Sequence, residues 1–257
     1  VRPPARRWLI VAALFSVTYC ISTPLAAFGV FLPLFADTFG WSRGAISTAL
    51  SINLLLGGVA GFGVGALADR HGPRVMLVLT VALSGVGFGL VAMVGALWQL
   101  YLLVGVVGGI GMSSFYLLSV ATVARWFDDR RGLALALVLV GFNLGYVTAG
   151  PLAAWLIAGL GWRAAYAALG AGSGLLTALA AATVRLPRPG ERDALRLGRA
   201  ARAEAGAPPP ARGRPAREAG VTLGDALADP RQWCLNVSWL LMGGLSLMLS
   251  VHAVPFA

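Results

Sequence analysis

The chain has 257 residues, of which 58% are hydrophobic and only 12% charged, and its formal net charge is +10. A soluble domain carries about 25% charged residues, so the composition excludes an ordinary water-soluble fold and indicates an integral membrane protein. The positive charge lies between apolar runs, which makes it a matter of membrane topology and excludes nucleic acid as a partner.

A spanning helix needs about 20 mostly apolar residues, and a charge at its centre costs roughly 2.5 to 3.5 kcal/mol. Seven runs satisfy this without Asp, Glu or Arg: Trp8 to Phe35, Ala45 to Ala68, Val75 to Leu97, Gln99 to Ala124, Leu133 to Ala158, Ala164 to Val184, and Trp233 to the end. They are dense in Gly and Ala, which lets helices approach closely in lipid. Barrel strands would alternate polar and apolar residues over about 10 positions, and these runs do not. The first run is too long for a signal-peptide core and lacks a small-residue cleavage site, so it is read as a span. Cys20 and Cys234 lie within or beside spans, where free Cys acts as a small hydrophobe; no disulfide or metal site is expected.

Orientation follows from the arginines, which account for all 20 basic residues. Arg2, Arg6 and Arg7 precede the first span, Arg70 and Arg74 join the second to the third, Arg125, Arg130 and Arg131 join the fourth to the fifth, and ten more join the sixth to the seventh. Only Arg43 and Arg163 lie on the other side. Basic loops stay in the cytoplasm, so the amino terminus is expected inside. The lack of Lys and abundance of Ala, Arg and Gly suggest a GC-rich bacterial gene, and therefore the inner membrane.

Residues 1–184 are thus read as a six-helix transmembrane half. Residues 185–229, rich in Arg, Ala, Pro and Gly and containing Pro208-Pro209-Pro210, are read as a largely disordered cytoplasmic linker. Beside an anionic inner leaflet such a tether gains about 1 kcal/mol per Arg. Thr222 can cap a short surface helix from Leu223 to Ala228, stopped by Pro230. Residues 230–257 begin a second half, so the chain is expected to be incomplete, and the lipid bilayer and a missing carboxyl-terminal half are its expected partners.

The one dense polar knot between long apolar runs is Gly65-Ala-Leu-Ala-Asp69-Arg70-His71-Gly72-Pro73-Arg74. Gly72 permits a turn with positive φ, and Pro73 and Arg74 open the next helix with a basic anchor. Asp69 ends a helix whose dipole opposes it, so it needs a compensating Arg or the amino terminus of another helix. Trp41, Trp126 and Trp162 read as interface anchors. Inside the spans the polar side chains are Tyr19, Asn53, Tyr101, Tyr116, Asn143, Tyr146 and Asn236, with hydroxyls and His252. No phosphate loop, nucleophile triad or metal cluster appears, so no enzyme activity and no cofactor are expected.

The knot resembles the motif between the second and third helices of the major facilitator superfamily: a Gly, three residues, Asp-Arg, any residue, Gly, then basic positions. Pro73 stands where many members have a basic residue. Arg125-Trp126-Phe127-Asp128-Asp129-Arg130-Arg131-Gly132-Leu133-Ala134 resembles the fourth-to-fifth loop of the monocarboxylate transporter and oxalate/formate antiporter branch. Gly29-Val30-Phe31 and Phe39-Gly40-Trp41-Ser42 are similar to that branch as well. Drug exporters of the superfamily usually carry an intramembrane Arg in the fourth helix, and Gly105 to Gly111 has none. Their fifth helix continues a Gly-Pro pair with two glycines, where this chain has Gly150-Pro151 followed by Ala153 and Ala154.

The resemblance implies an all-α membrane fold, the six-helix amino-terminal half of a twelve-helix bundle plus a seventh helix. It implies secondary transport of a small organic anion such as a monocarboxylate by alternating access. Drug or metabolite antiport against protons is the alternative within the family, and a non-transporting fragment is the alternative outside it. Gly65, Asp69, Arg70, Gly72, Arg74, Arg125, Asp128 and Asp129 become candidates for a conformational latch, in which Asp69 contacts the start of a carboxyl-half helix. Substrate candidates are Tyr116, Asn143, Tyr19, Asn53 and Tyr146, although the amides also read as links between helices. Ala26 stands where some relatives have Lys or Tyr, so an anion would find its cation in the missing half. His252 is the intramembrane ionisable residue, a candidate for proton coupling or a neutral packed side chain.

Overall fold

A computed structural model describes residues 6–127, 130–184, 228–238 and 241. The chain divides into two compact units between Pro210 and Ala211. In the first, α1 spans Arg6–Phe39, α2 Arg43–His71, and α3 Pro73–Leu90 with a 3-10 turn at Val91–Met93. The fourth span, α4, covers Leu97–Trp126. Arg131–Thr183 continues as helix except at Gly161, with φ 76° and ψ 163°, which divides it into α5 before and α6 after. Six apolar runs of the sequence therefore become six helical spans, and no strand occurs among the described residues. In the second unit, residues 230–238 form α7, which opens with Pro230 in its first turn and with the Asp229 carboxylate accepting the Arg231 N–H at 2.9 Å. Most of the linker, Thr222 and His252 lie outside the described residues.

The turns are as short as the sequence suggested. Gly40, with φ 70°, ends α1, and the Ser42 hydroxyl accepts the Ala45 N–H at 3.2 Å to open α2. At the other end Gly72, with φ 88° and ψ 147°, donates its N–H to the Ala68 carbonyl at 2.9 Å, and Pro73 starts α3 at once. That conformation is open to glycine and strained for any L side chain.

Small residues set how the helices meet. Lipid tails are as apolar as Leu, so association in a bilayer depends on close packing and interhelical hydrogen bonds rather than on a hydrophobic drive. On α3 and α6, Gly85 faces Gly174 so closely that a Cβ on either would lie 2.5 Å from the other's Cα. One turn on, Gly89 and Gly170 repeat the approach. On α1 and α5, the Thr18 hydroxyl donates to the Val138 carbonyl at 2.8 Å and the Ser22 hydroxyl to the Phe142 carbonyl at 3.0 Å, beside Gly141 and Gly145. On α2 and α4, Gly105 and Gly109 lie against Ile52 and Asn53.

Two apolar clusters fill the bundle. One, at the end bearing the knot, gathers Leu14, Val17, Leu77, Val123, Trp126 and Phe127. At the far end the other gathers Phe28, Phe31, Phe35, Phe88 and Tyr166, with Trp41 and Trp162 packed against it. The far end is stapled by Arg163, whose Nη1 donates to the Ala92 carbonyl at 2.9 Å while its guanidinium lies 4.7 Å from the Trp162 ring centre. Trp162 in turn meets Phe35 edge-on at 5.4 Å.

Candidate functional site

The knot builds a depression of roughly 210 Å³ at its end of the bundle. Gly65 and Asp69 stand one turn apart on the same face of α2, and Ala68 and Pro73 complete that wall. Leu117, Leu118, Ala121 and Arg125 of α4 form the other. With no side chain at Gly65, Leu117 closes against the α2 backbone, its Cδ2 lying 3.6 Å from where a Cβ would sit. The structure thus brings Gly65, Asp69 and Arg125 together around one hollow with a carboxylate and a guanidinium on its rim. Arg70 and Arg74 are exposed and do not line it, while Asp128 and Asp129 lie outside the described residues. Asp69 is exposed at the end of α2, where the helix dipole disfavours it, so this carboxylate is available to a positive group.

Above the depression α4 is not a regular helix. Tyr101–Gly108 is π-helical, Gly109–Met112 returns to α geometry, and Phe115–Trp126 begins only after a break at Ser113 and Ser114. Such interruptions recur at functional sites, and in transporters they place backbone groups at membrane depth. Side-chain hydrogen bonds tie this segment to α2 and α3. The Asn53 amide donates to the Val104 carbonyl at 2.7 Å, and the Tyr101 hydroxyl to the Ala45 carbonyl at 2.9 Å. Thr80 donates to the Met76 carbonyl, which leaves the Ser114 hydroxyl to donate to Thr80 Oγ1 at 2.8 Å.

The five substrate candidates are not gathered into one pocket among the described residues. Asn53 is buried, its amide committed to the α4 backbone. Tyr19 of α1 accepts a hydrogen bond from Thr148 of α5 at 3.1 Å. Asn143 is exposed and donates to the Leu139 carbonyl of its own helix at 2.9 Å. Tyr116 and Tyr146 are exposed by 43% and 45%. Tyr146 belongs to an aromatic group that hydropathy does not mark: Phe115 of α4 stacks on Phe142 of α5 at 5.5 Å and 15°, and Phe142 meets Tyr146 at 5.0 Å. The cluster Gly105, Gly108, Gly109 and Gly111 followed by Ser113-Ser114 is the sequence signal that could have marked the interruption beside it.

The Major Facilitator Superfamily profile matches residues 10–256. Among individual proteins, the chain is 30% identical over 253 residues to "Monocarboxylate transporter 11" of Homo sapiens, covering 97% of this chain and 49% of that protein. It is 30% identical to "Monocarboxylate transporter 13" of Rattus norvegicus, covering 62% of this chain and 37% of that protein. It is 33% identical to the "Oxalate:formate antiporter" of Oxalobacter formigenes, covering 59% of this chain and 36% of that protein. The matched part thus spans about half or less of the length of these relatives. A family match across nearly the whole chain, six closely packed spans and a glycine-turned polar knot between α2 and α3 agree: the chain belongs to the Major Facilitator Superfamily.

Proposed function

We propose that the chain supplies the amino-terminal half of a secondary active transporter that moves a small organic anion, such as a monocarboxylate, across the inner membrane by alternating access. The observation that carries this reading is the hollow at the knot, with Asp69 and Arg125 on its rim. Residues 1–184 form the half, 185–229 a cytoplasmic tether, and 230–257 the start of a second half that completes the site. The amino terminus and the knot face the cytoplasm, where eighteen of the 20 arginines lie. A helix amino terminus from the second half docks beside Asp69 when the transporter opens outward, and Arg70, Arg74, Arg125, Asp128 and Asp129 bias that contact. Relatives named for monocarboxylate and for oxalate and formate transport support the anion class.

One observation favours a second reading. The Phe115, Phe142 and Tyr146 group is aromatic and uncharged, which suits an apolar drug or metabolite exported against protons. The full-length protein expressed in a host lacking its own carboxylate carriers and drug pumps separates the two. Restored growth on an organic acid supports the anion transporter, and restored drug resistance without it supports the exporter.

A further inference from the structure

Of the arginines whose burial is described, Arg7 alone is buried, at 6% exposed; Arg43, Arg70, Arg74, Arg125, Arg130, Arg131, Arg163 and Arg231 all face outward. Topology requires a positive charge near the start of α1 but does not require it to be buried. Its guanidinium carbon stands 5.1 Å from the Phe127 ring centre and 6.0 Å from that of Trp8. Trp8 meets Phe127 edge-on at 5.1 Å. Phe127, 1% exposed, is the residue at which α4 ends: its φ of −125° and ψ of 119° are extended, and its N–H donates to the Val123 carbonyl at 3.0 Å to close the last turn. Arg125 stands two residues before it, on the rim of the hollow opposite Asp69.

We infer that Arg7 is a positioning residue for the latch. By holding Phe127 between its own guanidinium and Trp8, it fixes the final turn of α4 and so sets where Arg125 stands relative to Asp69. The planar guanidinium suits this task because it can cover an aromatic face and donate hydrogen bonds from its edge at the same time, which an ammonium does less well. The inference rests on the proposed latch for its consequence in transport, but not for its geometry.

The test uses the full-length transporter with all its native cysteines, Cys20 and Cys234 among them, replaced by Ser and a single reporter thiol at Ala121→Cys, in the wall of the hollow. A cation–aromatic contact is worth from about two-fold in an equilibrium where exposed to about thirty-fold where desolvated. The rate of maleimide labelling from the knot side is therefore expected to rise within that range in R7Q and in F127L, and by less in R7K. The double variant R7Q/F127L is expected to match the larger single effect rather than the product of the two. A reporter at Gly95→Cys, at the far end, should label at the parent rate, which separates local release from general unfolding. Should R7Q not reach the membrane, R7K and F127L carry the same comparison. Equal labelling in parent, R7Q, R7K and F127L overturns the inference, as do multiplying effects in the double variant. If labelling responds to R7Q while Asp69→Asn leaves transport intact, Arg7 still positions the end of α4 and it is the latch reading that fails.

Discussion

Gly172 and Gly174 sit two residues apart on α6, yet they face different surroundings. A Cβ at Gly172 would meet nothing within 4 Å, whereas one at Gly174 would lie 2.5 Å from the Cα of Gly85. Non-bonded carbons rest at about 3.5 to 4.0 Å, so Gly174→Ala must part α3 and α6 by roughly 1 Å or more. The two helices cannot tilt to escape, because Gly170 approaches Gly89 equally closely one turn earlier. Overpacking of this kind costs about 1 to 3 kcal/mol, and loss of contact along both glycine pairs adds to it. Gly172→Ala should instead be neutral or gain up to about 1 kcal/mol from helix propensity. The assay is the unfolding midpoint of the purified full-length protein in mixed detergent micelles, with G174A well below parent and G172A at or above it. Equal midpoints for the two variants would refute the claim that α3 and α6 meet backbone to backbone.

Other substitutions separate packing roles from transport roles. Asn53→Leu removes the bond to the Val104 carbonyl at the π-helical segment and should cost about 1 kcal/mol in the same unfolding assay. Its substrate affinity, measured as KM for uptake, should stay near the parent value. Tyr116→Phe removes the hydroxyl of a partly exposed side chain and should do the reverse, raising KM while leaving the unfolding midpoint unchanged. Gly72→Ala places a side chain at φ 88° and ψ 147°, a strain of roughly 1 to 3 kcal/mol, and should lower the unfolding midpoint and the folded yield.

The spans were legible because a bilayer punishes charge so heavily that hydropathy alone locates helix ends to within a few residues. Trp8 to Phe35 became Arg6–Phe39, and the knot turned at Gly72 before Pro73 as its residue types required. Inside the spans that signal is silent. Tyr101 to Met112 reads as one unbroken apolar run, so hydropathy carries no mark of the change from α to π geometry or of the break at Ser113 and Ser114. The loop between α5 and α6 shrank to one residue, Gly161, because a single positive φ suffices to turn the chain. Hydroxyls hold more than hydropathy conveys: Thr18 and Ser22 bind α1 to α5 through backbone carbonyls, a role their small side chains do not advertise. From the sequence Arg7 reads as a topological charge, because its neighbour Phe127 is distant in sequence and no local pattern links them.

The candidate site was legible in the same uneven way. Gly65 and Asp69 share a helix face by spacing alone, and the structure sets Arg125, a candidate from the fourth-to-fifth loop motif, across the hollow from them. Asn53, Tyr19, Asn143, Tyr116 and Tyr146 were singled out for polarity in an apolar setting, which does not distinguish a link between helices from a group facing substrate. The hydrogen bond to the Val104 carbonyl commits Asn53 to a link between helices, whereas Tyr116 and Tyr146 are partly exposed.

The most direct measurement is uptake of labelled small mono- and dicarboxylates into liposomes containing the protein encoded by the full-length gene, alongside its Asp69→Asn variant. Saturable carboxylate uptake that falls several-fold in the variant, without loss of folded protein, is the expected result. If no carboxylate moves and Asp69→Asn leaves every measurable transport rate unchanged, both the substrate class and the latch are wrong.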